Sequence, residues 1–373
     1  MGQKVIHKTC GYDVIGDWFY TRKCRKLLLV SDGAVRFQTG LMSYLESLRQ
    51  DLIIFSDFES NPKYESVVKG VEVFRSERCD AILAVGGGSA IDVAKCIKRF
   101  SGMQGDGSEG SFLNQISAAN QIPFMAIPTT AGTGAESTKY AVIYYLGEKQ
   151  SITDENCIPD TVLLDSDTLR TLPLYQRKAT MMDALCHAVE SFWSINSTEQ
   201  SRSYSREAIQ KILKYKNGYL CNSEEGNAGM LEAANIAGRA INISQTTAGH
   251  AMCYKLTSLY GCAHGHAAAL CDRVLFEWMI DHTNLCIDVR GEKYLKEILD
   301  ELGRCLGGID GIDGAHKFVE MVKMLDFSVP EATEEEYECL KKSVNPVRLK
   351  NHPVALDEAA IDGLYHKILR CME

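Results

Sequence analysis

The chain has 373 residues, 45% of them hydrophobic and 24% charged, with a net charge of −9 and an isoelectric point near 5.6. That length accommodates two domains with sizeable cores. The acidic balance, with no long run of like charge, argues against nucleic acid as a partner, and no apolar run approaches the roughly 20 residues that span a membrane.

From the N-terminus, KLLLVSD (Lys26–Asp32) reads as a buried strand followed by a helix through Leu48. DLIIFSD (Asp51–Asp57) is the next strand and Tyr64–Arg78 the next helix. AILAVGGGSAIDVAK runs from strand through a Gly-rich turn into a helix, and PFMAIPTT (Pro123–Thr130) and TVLLD (Thr161–Asp165) are further strands. Lys139–Tyr145 and the segment near Ile152 form a hairpin-like excursion between them. Strands alternating with helices in short units imply a parallel sheet covered on both faces, a Rossmann-like α/β domain.

After Leu172-Pro173 helical patterns dominate: Tyr175–Ser194, Glu199–Tyr215, Glu224–Ile243, His264–Ile280 and Lys293–Leu306. The expectation is an α/β domain over 1–171 and an all-α domain over 172–373. Fourteen cysteines are scattered without a C-x-x-C pair. Cys96, Cys186, Cys253 and Cys271 lie in apolar segments and read as small buried hydrophobes. MGQKVIHKTCGYDV has no signal-peptide core, and Gly2 lacks the Ser or Thr at position six that myristoylation wants. A cytoplasmic protein with reduced thiols is expected.

Two turns follow strands and carry the features of phosphate sites. Gly86-Gly87-Gly88-Ser89 opens a helix, where glycines admit close backbone approach and free N–H groups meet an anion. Ile91 stands where the G-x-G-x-x-G fingerprint has its last glycine, and no Walker lysine follows. TTAGTGAEST (Thr129–Thr138) is the second turn, so the pair suits the two ends of a dinucleotide. Asp32, at the end of the first strand, would accept ribose hydroxyls and repel a 2′-phosphate, favouring NAD(H) over NADP(H); it is equally suited to a helix N-cap.

In MMDALCHAVESF, Asp183 and His187 stand four residues apart and share a helix face. GHAMCYKLTSLYGCAHGH (Gly249–His266) adds His250 and His264, fourteen residues apart. One carboxylate with three imidazoles suits Fe²⁺ or Zn²⁺ and not Mg²⁺ or Ca²⁺.

Together, AVGGGSAIDVAK, IPTTAGTGAEST, DALCHAVES and GHAMCYKLTSLYGCAHGH resemble, in order and spacing, the signature segments of the iron-containing (group III) alcohol dehydrogenases. The resemblance covers Lys26 to about Leu270. It implies a dehydroquinate synthase-like fold, with a nucleotide-binding α/β domain and an all-helical C-terminal domain. It places metal ligands on Asp183, His187, His250 and His264, holding Fe²⁺ with Zn²⁺ as the alternative. It places cofactor contacts on Asp32, Asn61, Gly87, Gly88, Ser89, Asp92, Thr129, Thr130, Thr133, Thr138 and Lys149. Many relatives carry a histidine where this chain has Tyr254, and a phenol titrating near 10 is a poorer proton shuttle than imidazole. Tyr254 and His266 are the candidate relays, with the cofactor ribose or bulk water as the alternatives.

HAMCYKLTSLYG, with HGHA and the tail NPVRLKNHP, resembles the branch that reduces phosphonoacetaldehyde to 2-hydroxyethylphosphonate. That implies an anionic small-molecule aldehyde, with Lys255 as its catalytic-site cation, Thr257 and Ser258 as hydroxyl donors, and Arg348 and Lys350 as a further cationic pair. The alternatives are a dehydrogenase for a neutral aldehyde such as butanal or lactaldehyde and a dehydroquinate synthase-like lyase. The oligomeric state stays open, a homodimer included.

Overall fold

The computed structural model describes residues 2–48, 52–116, 120–344 and 349–370. The chain divides into two compact units: residues 1–130 with 134–172, and residues 131–133 with 173–373.

The first unit is built on eight strands: β1 (Lys4–His7), β2 (Leu27–Ser31), β3 (Leu52–Phe55), β4 (Ala81–Gly86), β5 (Phe124–Pro128), β6 (Tyr140–Tyr145), β7 (Glu148–Thr153) and β8 (Thr161–Leu164). Six form one parallel sheet in the order β1-β8-β5-β4-β2-β3. Its helices are α1 (Asp13–Thr21), α2 (Thr39–Ser47), α3 (Tyr64–Ser76) and α4 (Gly88–Ser101).

The strands read as continuous apolar runs because both faces are covered. Leu28, Val30, Ile82, Ala84, Phe124 and Ala126 pack with Val67, Val71, Val93 and Ile97 of α3 and α4. Their neighbours Leu27, Leu29, Leu83, Val85, Met125 and Ile127 pack with Ile15, Phe19, Leu41 and Leu45 of α1 and α2. Each of these side chains larger than alanine contributes roughly 1.5–3 kcal/mol on burial.

Several elements depart from the sequence expectation. The edge strand β1 and helix α1 were not anticipated, since β1 is four residues with exposed ends and a half-buried middle and shows no buried run. The helix expected after β2 is interrupted: a 3₁₀ turn over Gly33–Phe37 precedes α2. β3 is confined to Leu52–Phe55, and Asp51 lies outside the described residues. The hairpin is real: β6 and β7 pair antiparallel through Leu146 and Gly147, both at positive φ (51° and 79°) as a type I′ turn requires.

In sequence, β2 leads to β3 on one side of the sheet, whereas β4 leads to β5 on the other. The order therefore reverses between β2 and β4, the place where open α/β sheets bind ligands at their carboxyl ends.

The second unit is helical: α5 (Leu174–Trp193), α6 (Glu199–Leu220), α7 (Glu224–Ser244), α8 (Ala248–Tyr260), α9 (His264–Asp281), α10 (Glu292–Cys305), α11 (Gly311–Met324), α12 (Glu334–Ser343) and α13 (Glu358–Ile368). α5 is its axis. Every residue from Met181 to Trp193 is buried, and the helix packs against α6, α7 and α9. Pro173, extended at ψ 151°, sets its start. Helices α8, α11, α12 and α13 were absent from the sequence reading. In α8 the apolar stripe is interrupted by His250, Tyr254 and Lys255.

Candidate metal centre and nucleotide site

Helix α5 carries Asp183, His187 and Glu190 at i, i+4 and i+7, so all three lie on one face. His250 sits in the first turn of α8, and His264 is the first residue of α9. Gly261, at φ 67°, ends α8 in the left-handed conformation, where its N–H reaches Thr257 O, and α9 folds back along α8. That turn gives the fourteen-residue step its meaning.

The four expected ligands converge on one atom. Asp183 Oδ1 lies 4.0 Å from His187 Nε2, 3.5 Å from His250 Nε2 and 3.9 Å from His264 Nε2. Donors bound to one ion at about 2.0–2.2 Å stand roughly 3.3–3.6 Å apart in a tetrahedral arrangement; the His250 distance falls in that range, and the His187 and His264 distances exceed it by a few tenths of an ångström, close to what a first-row divalent cation needs. Among the described residues, Asp183 Oδ1 and His250 Nε2 are buried without a hydrogen bond in good geometry, which a bound cation would explain. The His187 and His250 rings stack at 4.5 Å, and His264 meets His250 edge-on at 5.2 Å.

The electrostatics point the same way. Burial opposes ionisation of Asp183, but the neighbouring imidazoles outweigh it and hold the carboxyl below the usual carboxylate range. Burial lowers His187 to about 4, keeping it a neutral donor. His250, although buried, is pushed up to about 10 by Glu190 and Asp183. Two buried carboxylates around one imidazole demand positive charge, which a proton supplies when no ion does.

Glu190 escaped the sequence reading. Its Oε1 meets His250 Nδ1 and accepts the His250 backbone N–H at 3.0 Å, and its Oε2 accepts Thr247 Oγ1–H at 2.7 Å and the Thr247 backbone N–H. Asp272 lies beside it, fully buried, with neither oxygen hydrogen-bonded in good geometry; burial and the Glu190 charge push its carboxyl well above the carboxylate range. Gly249 passes between them, since a Cβ there would lie 1.8 Å from Asp272 Oδ1 and 2.9 Å from Glu190 Oε1. The available signal was the i+7 spacing from Asp183; a lone glutamate on a helix is otherwise unremarkable.

The structure separates the relay candidates. Tyr254 stacks on the His264 ring at 5.3 Å and 17°. His266 is buried with both ring nitrogens engaged: Tyr175 Oη at 3.0 Å from Nδ1 and Ser328 O at 2.9 Å from Nε2, with Phe327 stacked on its face. Its surroundings are those of a packed structural imidazole. Lys255 is half-buried and forms no ion pair among the described residues. Five residues beyond His250, it points about 140° around α8 from that ligand. Thr257, on the His250 side of α8, has a buried hydroxyl without a partner, whereas Ser258 is exposed and bonds Lys255 O. Lys350 is exposed, and Arg348 lies outside the described residues.

In the first unit, the nucleotide candidates gather at the strand ends. Asp32 follows β2, and its carboxylate lies 3.3 Å from where a Cβ on Gly86 would stand. Gly87 is the N-cap of α4, Gly88 and Ser89 are the first residues of that helix, and Thr130 approaches the Cα of Gly87 so closely that a Cβ would meet its methyl at 3.3 Å. Thr129 N–H bonds Gly86 O, tying the two turns together.

Asp92 and Thr138 are engaged within the fold. Asp92 Oδ2 accepts Val142 N–H at 3.0 Å, and Lys95 Nζ donates to Thr138 Oγ1 at 3.1 Å and Tyr140 O at 2.6 Å, so α4 carries the hairpin. Burial pushes Asp92 up to about 6 against the pull of Lys95 and Lys149. Asn61, left-handed at φ 58°, lines a cavity of about 660 Å³ with Tyr144 and Leu146. Thr133 groups with the helical unit, where the adjacent Gly132 packs against Thr180.

Comparison with known proteins agrees with this architecture. The profile of "Iron-containing alcohol dehydrogenase" matches residues 3–166, and that of "Fe-containing alcohol dehydrogenase family, C-terminal" matches residues 178–365. The chain belongs to the iron-containing alcohol dehydrogenase family. It is 31% identical to an NAD-dependent methanol dehydrogenase of Bacillus methanolicus, over 65% of this chain and 65% of that protein. It is 30% identical to a phosphonoacetaldehyde reductase of Streptomyces viridochromogenes, over 69% and 67% of the two chains. The fold matches that of a sulfoacetaldehyde reductase from Bifidobacterium kashiwanohense in complex with NAD+, with a TM-score of 0.87, 24% identity, and 98% and 97% of the chains covered. No helix among the described residues is long and apolar enough to cross a membrane.

Proposed function

We propose that the chain interconverts an aldehyde and its primary alcohol using Fe²⁺ and NAD(H), and that the aldehyde carries a phosphonate, as in phosphonoacetaldehyde. The observation that carries the reaction class is the convergence of three imidazole Nε2 atoms on the buried Asp183 Oδ1, 3.5–4.0 Å away, in a chain of this family. An ion held by these four side chains supplies Lewis acidity to a carbonyl oxygen, and the dinucleotide supplies the hydride. Asp183, His187 and His250 are buried, so they exclude water behind the reacting carbonyl. His264, with 32% of its side chain exposed, marks the open side. Tyr254 is the candidate to deliver a proton from Oη to the product oxygen, a role supported by its stacking on the ligand His264. Asp32 beside the Gly-rich turn favours NAD(H) over NADP(H).

The anionic substrate rests on the likeness to the Streptomyces reductase; Lys255, about 140° around α8 from His250, adds no support to it. A neutral short-chain substrate is the competing reading, favoured by the likeness to the methanol dehydrogenase. NADH oxidation by Fe²⁺-loaded protein, with phosphonoacetaldehyde and with butanal or lactaldehyde, decides between them. The expected result is a kcat/KM at least about tenfold higher for the phosphonate. Equal or better turnover of the neutral aldehydes overturns the anionic reading.

A further inference from the structure

An imidazole that binds a cation through Nε2 must carry its proton on Nδ1, and the group facing Nδ1 decides whether it does. For His250 that group is Glu190. We infer that Glu190 is a positioning residue that fixes the tautomer and ring plane of His250, presenting the Nε2 lone pair to the metal. The inference rests on the metal reading given above.

The donor inventory around Glu190 makes the role specific. Oε1 receives the His250 backbone N–H and faces Nδ1; Oε2 receives the backbone N–H and hydroxyl of Thr247. Thr247 Oγ1 can direct its proton to Glu190 because it accepts the Trp193 indole N–H at 2.9 Å. A carboxylate is acceptor-only and satisfies all of these donors. An amide turned either way sets its NH2 against other donors.

Among the described residues, the other ligands face neutral groups, the backbone of Gly132 in the case of His187. The nearest counterpart is Cys253 Sγ at 3.6 Å from His264 Nδ1, a weaker pairing on the more exposed ligand. Glu190, His250 and Asp272 lie close enough together to resemble a second cation seat. Both oxygens of Glu190 are nevertheless already occupied by N–H and O–H donors, so the cluster reads as a support behind His250.

The test uses Zn²⁺, which is diamagnetic, on full-length protein. Long-range ¹⁵N–¹H spectra of histidine-labelled, Zn²⁺-loaded protein report which nitrogen of His250 is protonated, with the signal assigned through His250→Gln. A protonated Nδ1 is expected in the wild type, and protonation at Nε2 overturns the inference without any further variant. Zn²⁺ dissociation constants are then measured by chelator competition. Glu190→Gln is expected to weaken binding by about 10- to 100-fold and to alter the His250 signals. Thr247→Val, which removes one donor from Oε2 but leaves the His250 contact, is expected to stay within about threefold of wild type. Wild-type affinity and spectrum in Glu190→Gln overturn the inference while leaving the metal site standing. Failure of the wild type to bind any divalent ion removes the metal reading itself.

Discussion

Gly265, between His264 and His266, stands where α9 touches α5 backbone to backbone. A Cβ placed on it lies 2.0 Å from Ala179 O, 2.6 Å from Asp183 Cβ and 2.8 Å from Asp183 N. Ordinary van der Waals contact begins at 3.4 Å, which leaves Gly265→Ala about 1.4 Å too close to the carbonyl. A side-chain tip would rotate away, but a helix backbone cannot, so α9 must move off α5 by on the order of 1 Å.

Asp183 is on one side of that contact and His264 adjoins the other, so the 3.9 Å between their ligand atoms widens with it. Metal–donor distances tolerate only about 0.2 Å. Overpacking costs about 1–3 kcal/mol, and alanine's better helix propensity returns at most about 1 kcal/mol. The expected outcome is a modest fall in the unfolding free energy of the metal-free protein and a loss of Zn²⁺ affinity of at least about tenfold. Denaturant unfolding and chelator competition measure the two. Undiminished affinity would refute the reasoning, even with stability lost, because it would show that α9 yields without carrying His264.

The ligands should differ sharply when removed from metal-free protein. His250→Ala strips the positive partner from buried Glu190 and Asp183 and should cost about 3–5 kcal/mol. His264→Ala, at a partly exposed side chain, should cost well under half of that in the same denaturant titration, although both abolish tight metal binding. His352 supplies a pH dependence. It is fully buried, both its ring nitrogens are without a hydrogen-bond partner among the described residues, and burial lowers it from 6.5 to about 4. The unfolded chain therefore takes up a proton below about 6.5 that the folded chain refuses until about 4. Stability is full above 6.5 and falls by up to about 3 kcal/mol as pH drops through that window. His352→Phe should make this limb shallower in a thermal-melt series of metal-free protein from pH 7 to 4, the remainder coming from His187, which burial also lowers to about 4; an unchanged slope would assign the acid sensitivity elsewhere.

The alternation of apolar runs with helical patterns made the parallel α/β unit legible, because a sheet covered on both faces must write its strands as unbroken hydrophobic segments. The Gly86–Ser89 turn and the Asp183/His187 pair were legible for the same local reason: strand-turn-helix and i, i+4 are short-range geometries. What the sequence by itself could not decide lies in distances between segments remote in the chain. The return of α9 along α8 at Gly261 makes two histidines fourteen residues apart into neighbours. The sheet order puts the turns after β2, β4 and β5 side by side. Asp272 and Thr247 acquire their meaning only beside Glu190, and His266 acquires Tyr175 and Ser328 as partners that its position two residues past a ligand did not reveal. Local pattern determined which elements form and which side chains share a face. Tertiary packing alone decided which carboxylate stands behind which imidazole, because burial, and not spacing, sets the cost of leaving any of those groups unpaired.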